Sequence, residues 1–254
     1  MSEAGNEAPV GPTALVDRTY WIVGASEGLG RALAHRLSRM GARLVVSARS
    51  AERLESLVAE LPGRARAEVI DVRDRASVAD AAKRVGPVDG LIYMAGVYWP
   101  MSAQTLDAEQ LESMCDINFT GAARCVAEAL PAMVARDAGH IVLVGSLSGF
   151  RGLPGATGYG ASKAGVMYLA EGLRADLRGS GIRVQLANPG FIRTRLTDKN
   201  NFSMPFMMEP DEAAGQIVEL MMSDAFARSF PAAFSWLFRG SRFLPDWLYY
   251  RLVG

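Results

Sequence analysis

The sequence predicts one α/β domain in which helices cover both faces of a doubly wound parallel sheet. Three observations predict it. Short apolar runs alternate with segments of helical periodicity over most of the chain, which is the pattern of right-handed strand–helix–strand crossovers. A glycine cluster joins the first run to the first helix. Gly24, Arg49, Asp71, Ala95-Gly96, Ser146 and Pro189-Gly190 stand at the carboxyl ends of separate runs, where open parallel sheets bind ligands, although they lie far apart in sequence. With 254 residues, half of them hydrophobic, the chain can bury one sizeable core.

In chain order, residues 1–17 carry Glu3, Glu7 and Asp17 with no cation, the reverse of a signal peptide, and are expected to form a disordered polar tail. Residues 18–224 form the main domain. Residues 19–24 form the first strand, and Leu29, Leu33 and Leu37 mark a helix over 28–40. Between them lies Gly24-Ala25-Ser26-Glu27-Gly28-Leu29-Gly30. Glycines at such a turn permit positive φ and let backbone amides approach a phosphate at the positive end of the helix, so a dinucleotide is expected here. Strands then follow at 43–48, 67–71, 88–94, 140–145 and 182–188, separated by helices at 51–61, 76–85, 106–136 and 158–179.

Charge and cysteine usage narrow the partners. Twenty-seven basic residues balance twenty-seven acidic ones, which gives no reason to expect nucleic acid. No apolar run approaches the ~18 residues that span a bilayer. Cys115 and Cys125 fall in one predicted helix, about 15 Å apart along its axis and beyond disulfide reach, so a reducing cytoplasm is expected. His35 and His140 have no ligand-spaced neighbours, and no metal is expected.

The chemistry centres on residues 146–163. Tyr159 and Lys163 are four apart and share one helical face. A free phenol titrates near ~10, and an ammonium within roughly 4–6 Å favours the phenolate, so the pair can work as an acid–base at neutral pH. Ser146, at the end of the preceding strand, can hydrogen-bond the oxygen of a carbonyl or alcohol.

Together with Asp71, Ala95-Gly96, Asn118 and Pro189-Gly190 followed by Thr194, these residues make the chain resemble the short-chain dehydrogenase/reductase family over about residues 18–222. The resemblance implies a Rossmann-like fold. It implies that Tyr159 is the general acid–base, that Ser146 positions the substrate oxygen, that Lys163 holds the nicotinamide ribose and assists Tyr159, and that Asn118 supports a water chain. It also implies a dinucleotide held by Gly24, Ser26, Glu27, Gly28, Leu29, Gly30, Arg49, Asp71, Val72, Ala95, Gly96, Tyr159, Lys163, Pro189, Gly190, Ile192 and Thr194. The chain departs from the family pattern in two places. Tyr93-Met94 replaces the usual asparagine pair before Ala95-Gly96, and the usual glycine-rich last strand is not recognisable beyond residue 223.

The second strand ends in Ala48-Arg49-Ser50 rather than in the acid that accepts from an NAD ribose, and arginine suits a 2′-phosphate, so NADP(H) is expected over NAD(H). Glu27 argues the other way. Tyr98, Ser148, Phe150, Leu153, Phe202 and Phe206 lie in the segments that wall the family's substrate pocket, which points to an apolar ketone or alcohol. Arg193 and Arg195 are read as solvated lid cations, with contact to an anionic group of the substrate as the alternative. An isomerase or dehydratase on the same fold, and a non-enzymatic NADP(H) sensor, are the alternatives.

Small residues on the helices at 106–136 and 158–180, among them Gly121, Gly160 and Gly165, point to a homodimer or homotetramer built on those helices. Residues 225–254 form a C-terminal extension carrying four arginines against one aspartate, an excess of three positive charges, interleaved with Trp236, Phe243, Trp247 and Tyr250. Pro231 and Pro245 divide it into two short helices. Contact with a membrane surface, cover over a partner subunit and the pocket mouth, and simple packing on the core are all open readings of it.

Overall fold

A computed structural model describes residues 15–199 and 204–253. Among these, the strands β1 (Thr19–Val23), β2 (Arg43–Ala48), β3 (Ala65–Val69), β4 (Gly90–Tyr93), β5 (Gly139–Val144), β6 (Ile182–Pro189) and β7 (Ala227–Phe230) form one sheet in the order β3-β2-β1-β4-β5-β6-β7. Every pairing is parallel. The order reverses between β1 and β4, which opens a crevice beyond their carboxyl ends.

Residues alternate between two cores along β1. Tyr20 and Ile22 pack with Leu33, Leu37, Leu54 and Ile217 from α1 (Gly28–Arg39), α2 (Ala51–Glu60) and, further along the chain, a helix at Pro210–Met221. Trp21 and Val23 face the other way, with Val78 of α3 (Arg75–Val85), and with Cys125 and Val166 from later helices. Both faces are therefore dry, and the strands read as continuous apolar runs for that reason.

The expected helix over 106–136 is interrupted. Residues 108–115 form α4 (Ala108–Cys115) and 121–135 form α5 (Gly121–Ala135), with a single wide π-turn at Asp116–Thr120 between them, closed by the Gly121 amide on the Asp116 carbonyl. Such turns insert a residue without breaking the helix, and they recur at functional sites. The chain continues through α6 (Thr157–Asp176) and α7 (Pro210–Met221).

Three further expectations are corrected. The tail does not extend to residue 17, because Leu15 is fully buried in the first core and the Asp17 amide bonds the Gly41 carbonyl. β3 stops at Val69, so Asp71 stands two residues past it. A last strand does exist: β7 pairs with β6, Leu186 beside Ala227 and Pro189 beside Phe230. After it come α8 (Ala232–Ser241) and α9 (Asp246–Val253), divided at Pro245 as expected. Among the described residues no helix is long and apolar enough to cross a membrane.

A buried polar network fastens the amino-terminal side of the sheet. Gln185 donates from its amide to the carbonyls of Leu220, Ser223 and Ala225, which leaves its oxygen to accept from His140 Nε2 at 2.9 Å. His140 Nδ1 then accepts from the Tyr20 hydroxyl at 2.8 Å. Burial holds the imidazole neutral, with its pKa pushed down to about 3. Among the described residues no cluster of three or more His, Cys, Asp or Glu could hold a metal.

Candidate active site

The cleft at the switch point has a volume of about 630 Å³, and every residue expected to hold the dinucleotide lines it, from Gly24 through Tyr159 and Lys163 to Thr194. The local geometry fits such a group. A Cβ at Gly24 would lie 2.4 Å from the Ala95 nitrogen, and one at Gly30 would lie 2.0 Å from the Gly24 carbonyl. The strand end, the turn and the helix are therefore in the closest contact that glycine allows. α2, α3 and α4 are capped by the side chains of Ser50, Asp74 and Asp107. α1 is not: no side chain caps its first amides at Glu27, and no acid occupies its first turn. Its N-terminus faces the cleft with donors to spare, as a phosphate requires.

Charge gathers where β2 ends and α1 begins. Glu27 bonds Arg53 at 3.0 Å and also Arg195, so it sits between two guanidinium groups. Arg49 is exposed at the end of β2 beside them. The cluster of Arg49, Arg53 and Arg195 outweighs its one acid. Arg193 pairs with Glu209 at 2.7 Å. Asp71 is held by Arg73 at 2.6 Å, and that hydrogen-bonded pair keeps its carboxyl below the usual range.

At the other end, β5 delivers Ser146 and α6 delivers Tyr159 and Lys163. Ser146 is buried, and Tyr159 shares a hydrogen bond with it. The Ser148 hydroxyl reaches Ser146 Oγ at 3.0 Å. Lys163 is buried as well, donates to the Val144 carbonyl at 2.9 Å, and has its Nζ 5.7 Å from the centre of the Tyr159 ring. The expectation that the ammonium favours a phenolate does not hold in the bare chain. Burial dominates and pushes the Tyr159 phenol up to about 12, with the Ser146 hydrogen bond working against it. Burial also pushes the Lys163 ammonium down to about 8. Tyr159 is therefore a protonated donor at neutral pH.

Asn118, fully buried in the π-turn, is bonded on both sides. Its oxygen accepts from the Val97 amide at 2.8 Å, and its nitrogen donates to the Val97 carbonyl at 3.0 Å and to Ser162 Oγ at 2.9 Å. Ser162 passes the connection to the Tyr159 carbonyl at 2.8 Å. Asn118 thus ties the loop after β4 to the turn of α6 that carries the tyrosine. The Tyr93 hydroxyl, standing where an asparagine was expected, donates to the Ile117 carbonyl at 2.5 Å and braces the same π-turn. Neither Ser162 nor the Tyr93 contact was anticipated.

The substrate candidates divide. Tyr98 meets Tyr159 edge-on at 5.1 Å between ring centres, and Ser148 touches Ser146. Phe150 instead packs, half-buried, against the second core, Leu153 is half-buried, and Phe206 stacks on Phe234 at 5.5 Å. Phe202 lies outside the described residues. The loop between Ser146 and Tyr159 is clamped from below. Arg151 donates to the carbonyls of Ser241 and Leu244, pairs with Asp246 at 2.7 Å and lies 3.9 Å over the Tyr249 ring, while the Tyr249 hydroxyl returns to the Gly152 carbonyl at 2.7 Å.

A glycine cradle at the switch point, with a tyrosine, a lysine and a serine gathered at its far end, defines a class: dinucleotide-dependent oxidoreductases of the doubly wound α/β type. Residues 18–205 match the short chain dehydrogenase family, and the chain belongs to it. It is 40% identical over 227 residues to an uncharacterized oxidoreductase of Myxococcus xanthus, covering 86% of this chain and 88% of that one. It is 42% identical over 188 residues to the sulfoacetaldehyde reductase of Chromohalobacter salexigens, covering 70% and 73%. Among solved structures it superposes on an actinorhodin polyketide ketoreductase variant with NADPH, with a TM-score of 0.77 and 28% identity, covering 86% and 97%.

Proposed function

We propose that the protein is an NADPH-dependent reductase that interconverts an apolar ketone and its secondary alcohol. The observation that carries this reading is a single cleft lined by a glycine cradle at one end and by Tyr159 and Lys163 at the other. A nicotinamide bound there supplies or accepts the hydride. Ser146, with Ser148 behind it, holds the substrate oxygen, and Tyr159 gives that oxygen its proton during reduction. Burial pushes the phenol up to about 12 in the bare chain, so Tyr159 carries its proton at neutral pH. Oxidation of the alcohol needs the phenolate, and it gains as pH rises. Lys163 orients the ribose, and Asn118 with Ser162 keeps the tyrosine's helical turn in register with the loop after β4.

The arginines around Glu27 support NADPH, since a 2′-phosphate would meet a net positive cluster. An apolar substrate is supported by Tyr98, whose ring stands edge-on to Tyr159 at that end of the cleft. Cys115 and Cys125 are free thiols, in keeping with a cytoplasmic enzyme.

The reading includes a homodimer or homotetramer through α4, α5 and α6. Some of the small residues invoked for it are used within the chain: a Cβ at Gly165 would meet Phe119, and one at Gly121 would meet Tyr93. Support comes instead from Tyr168, which is exposed on α6. Light scattering at micromolar concentration tests the assembly, and a monomeric mass rejects it. The activity is tested by NADPH absorbance with a panel of apolar ketones. Loss of absorbance stoichiometric with alcohol formed is expected, and product formation without cofactor change would mean an isomerase or dehydratase.

A further inference from the structure

The C-terminal helices leave an apolar surface uncovered. Trp236, Leu237, Phe243, Trp247, Tyr250 and Leu252 are each more than half exposed, and Phe243 reaches 89%. Scattered exposed apolar side chains are normal in a soluble protein, but two tryptophans and four other large apolar residues within seventeen positions are not. The inward side of the same helices is fully used. Phe234 packs on Phe191 and Phe238, Tyr249 is buried, and Arg151 holds the turn between the helices. Tyr250 also touches this cluster, against Tyr249 and near Arg151, and still keeps more than half of its surface exposed beside the other five.

Charge selects what covers this face. Arg239, Arg242 and Arg251 are exposed, and no carboxylate pairs with them among the described residues. The one acid of the segment, Asp246, is taken by Arg151 from the loop below. A second copy docking by a two-fold contact would bring like charges together with no acid to answer them. An anionic lipid surface offers the opposite charge, together with an interface where tryptophan and tyrosine rings reside. α8 and α9, of ten and eight residues, are too short to span a bilayer.

We propose that α8 and α9 dock the protein on an anionic bilayer, with the exposed aromatic side chains entering the interface and Arg239, Arg242 and Arg251 meeting the headgroups. The surface adjoins the catalytic cleft. Phe234 of α8 stacks on Phe191, which directly follows the cleft residue Gly190, so a bilayer lying on α8 would lie beside the edge of the cleft.

The test is flotation of the full chain with vesicles of phosphatidylcholine alone and of phosphatidylcholine with about a third phosphatidylglycerol. Three cations near anionic lipid together favour the anionic vesicles by on the order of a hundredfold at low salt, and that preference should disappear at high salt. The triple variant Trp236→Ser/Phe243→Ser/Trp247→Ser should no longer float while still binding NADPH, which reports an intact fold. Arg239→Gln/Arg242→Gln/Arg251→Gln should lose the preference for anionic vesicles, and it carries the test if the aromatic variant fails to fold. Failure of the parent to float with anionic vesicles at low salt overturns the proposal, as does equal binding to both vesicles. A halved mass of the aromatic variant in lipid-free solution, with no flotation of the parent, would mean that a second copy covers the face.

Discussion

Tyr93→Phe isolates the brace under the π-turn. The ring is about 1% exposed, so phenylalanine keeps its packing and removes only the hydroxyl that donates to the Ile117 carbonyl. Loss of a buried hydrogen bond that strands its acceptor costs about 1–3 kcal/mol, which for a domain of this size lowers Tm by roughly 2–12 °C. Gly121 supplies the control. A Cβ there would lie 2.4 Å from the Tyr93 hydroxyl and 2.9 Å from Val72 Cβ, so Gly121→Ala in the parent overpacks the site at about 1–3 kcal/mol. In the Tyr93→Phe background the nearer obstacle is gone. The double variant should therefore be less destabilised than the sum of the two by about 1 kcal/mol, as residues in contact commonly are. Urea melts of the four proteins measure this. Additivity within about 0.3 kcal/mol would refute the claim that the hydroxyl and Gly121 share one space, and an unchanged Tm for Tyr93→Phe would refute the brace itself.

Three other outcomes follow from the site and the core. Tyr159→Phe should lower turnover by ~10²–10⁴ while NADPH binding, followed by fluorescence, stays within a few-fold; a variant within threefold of the parent in turnover removes Tyr159 from the chemistry. Ala48→Asp with Arg49→Ala should shift the NADPH/NADH ratio of kcat/KM toward NADH by roughly tenfold to a hundredfold, since a charge-assisted phosphate contact is lost; no shift would assign the phosphate to Arg53 and Arg195. His140 has its folded pKa lowered to about 3 against 6.5 unfolded, so the unfolded chain binds the extra proton and stability falls as pH drops through that window, by about 2–3 kcal/mol at pH 4.5. His140→Gln should flatten that part of the stability profile, and an unaltered slope between pH 6 and pH 4 would exclude His140 as its source.

The repeating layer of the fold was legible because each strand between two helical faces is an unbroken apolar run, and the grouping of Ser146, Tyr159 and Lys163 was legible because their spacing is local. β7 was not legible. Ala227-Arg228-Ser229-Phe230 has no apolar run, and it is a strand only because β6 offers it a free edge. The π-turn was hidden because one inserted residue barely disturbs helical periodicity. Sequence could flag the missing asparagine at Tyr93 but not the reach of the phenol to Ile117. The setting of Glu27 was illegible for a different reason: its partners, Arg53 and Arg195, come from other parts of the chain, and only folding shows that its charge is spent. The sign of the Tyr159 shift was misread because spacing reports which groups are near one another but not how deeply they are buried.

The Arg151 clamp alters how the end of this chain should be regarded. Its guanidinium is fastened to carbonyls at the end of α8, to Asp246 at the start of α9 and to the Tyr249 ring, and it belongs to the loop that runs from Ser146 to Tyr159. The last two helices are thus a keystone set under the loop that joins Ser146 to Tyr159. A nick after Phe230, or a bulky fusion that pries α9 away, would strip a partly buried arginine of its partners and slacken the loop between Ser146 and Tyr159. Damage at the far end of the polypeptide would then register first in KM and kcat, while the sheet, with its cofactor cradle, stayed whole.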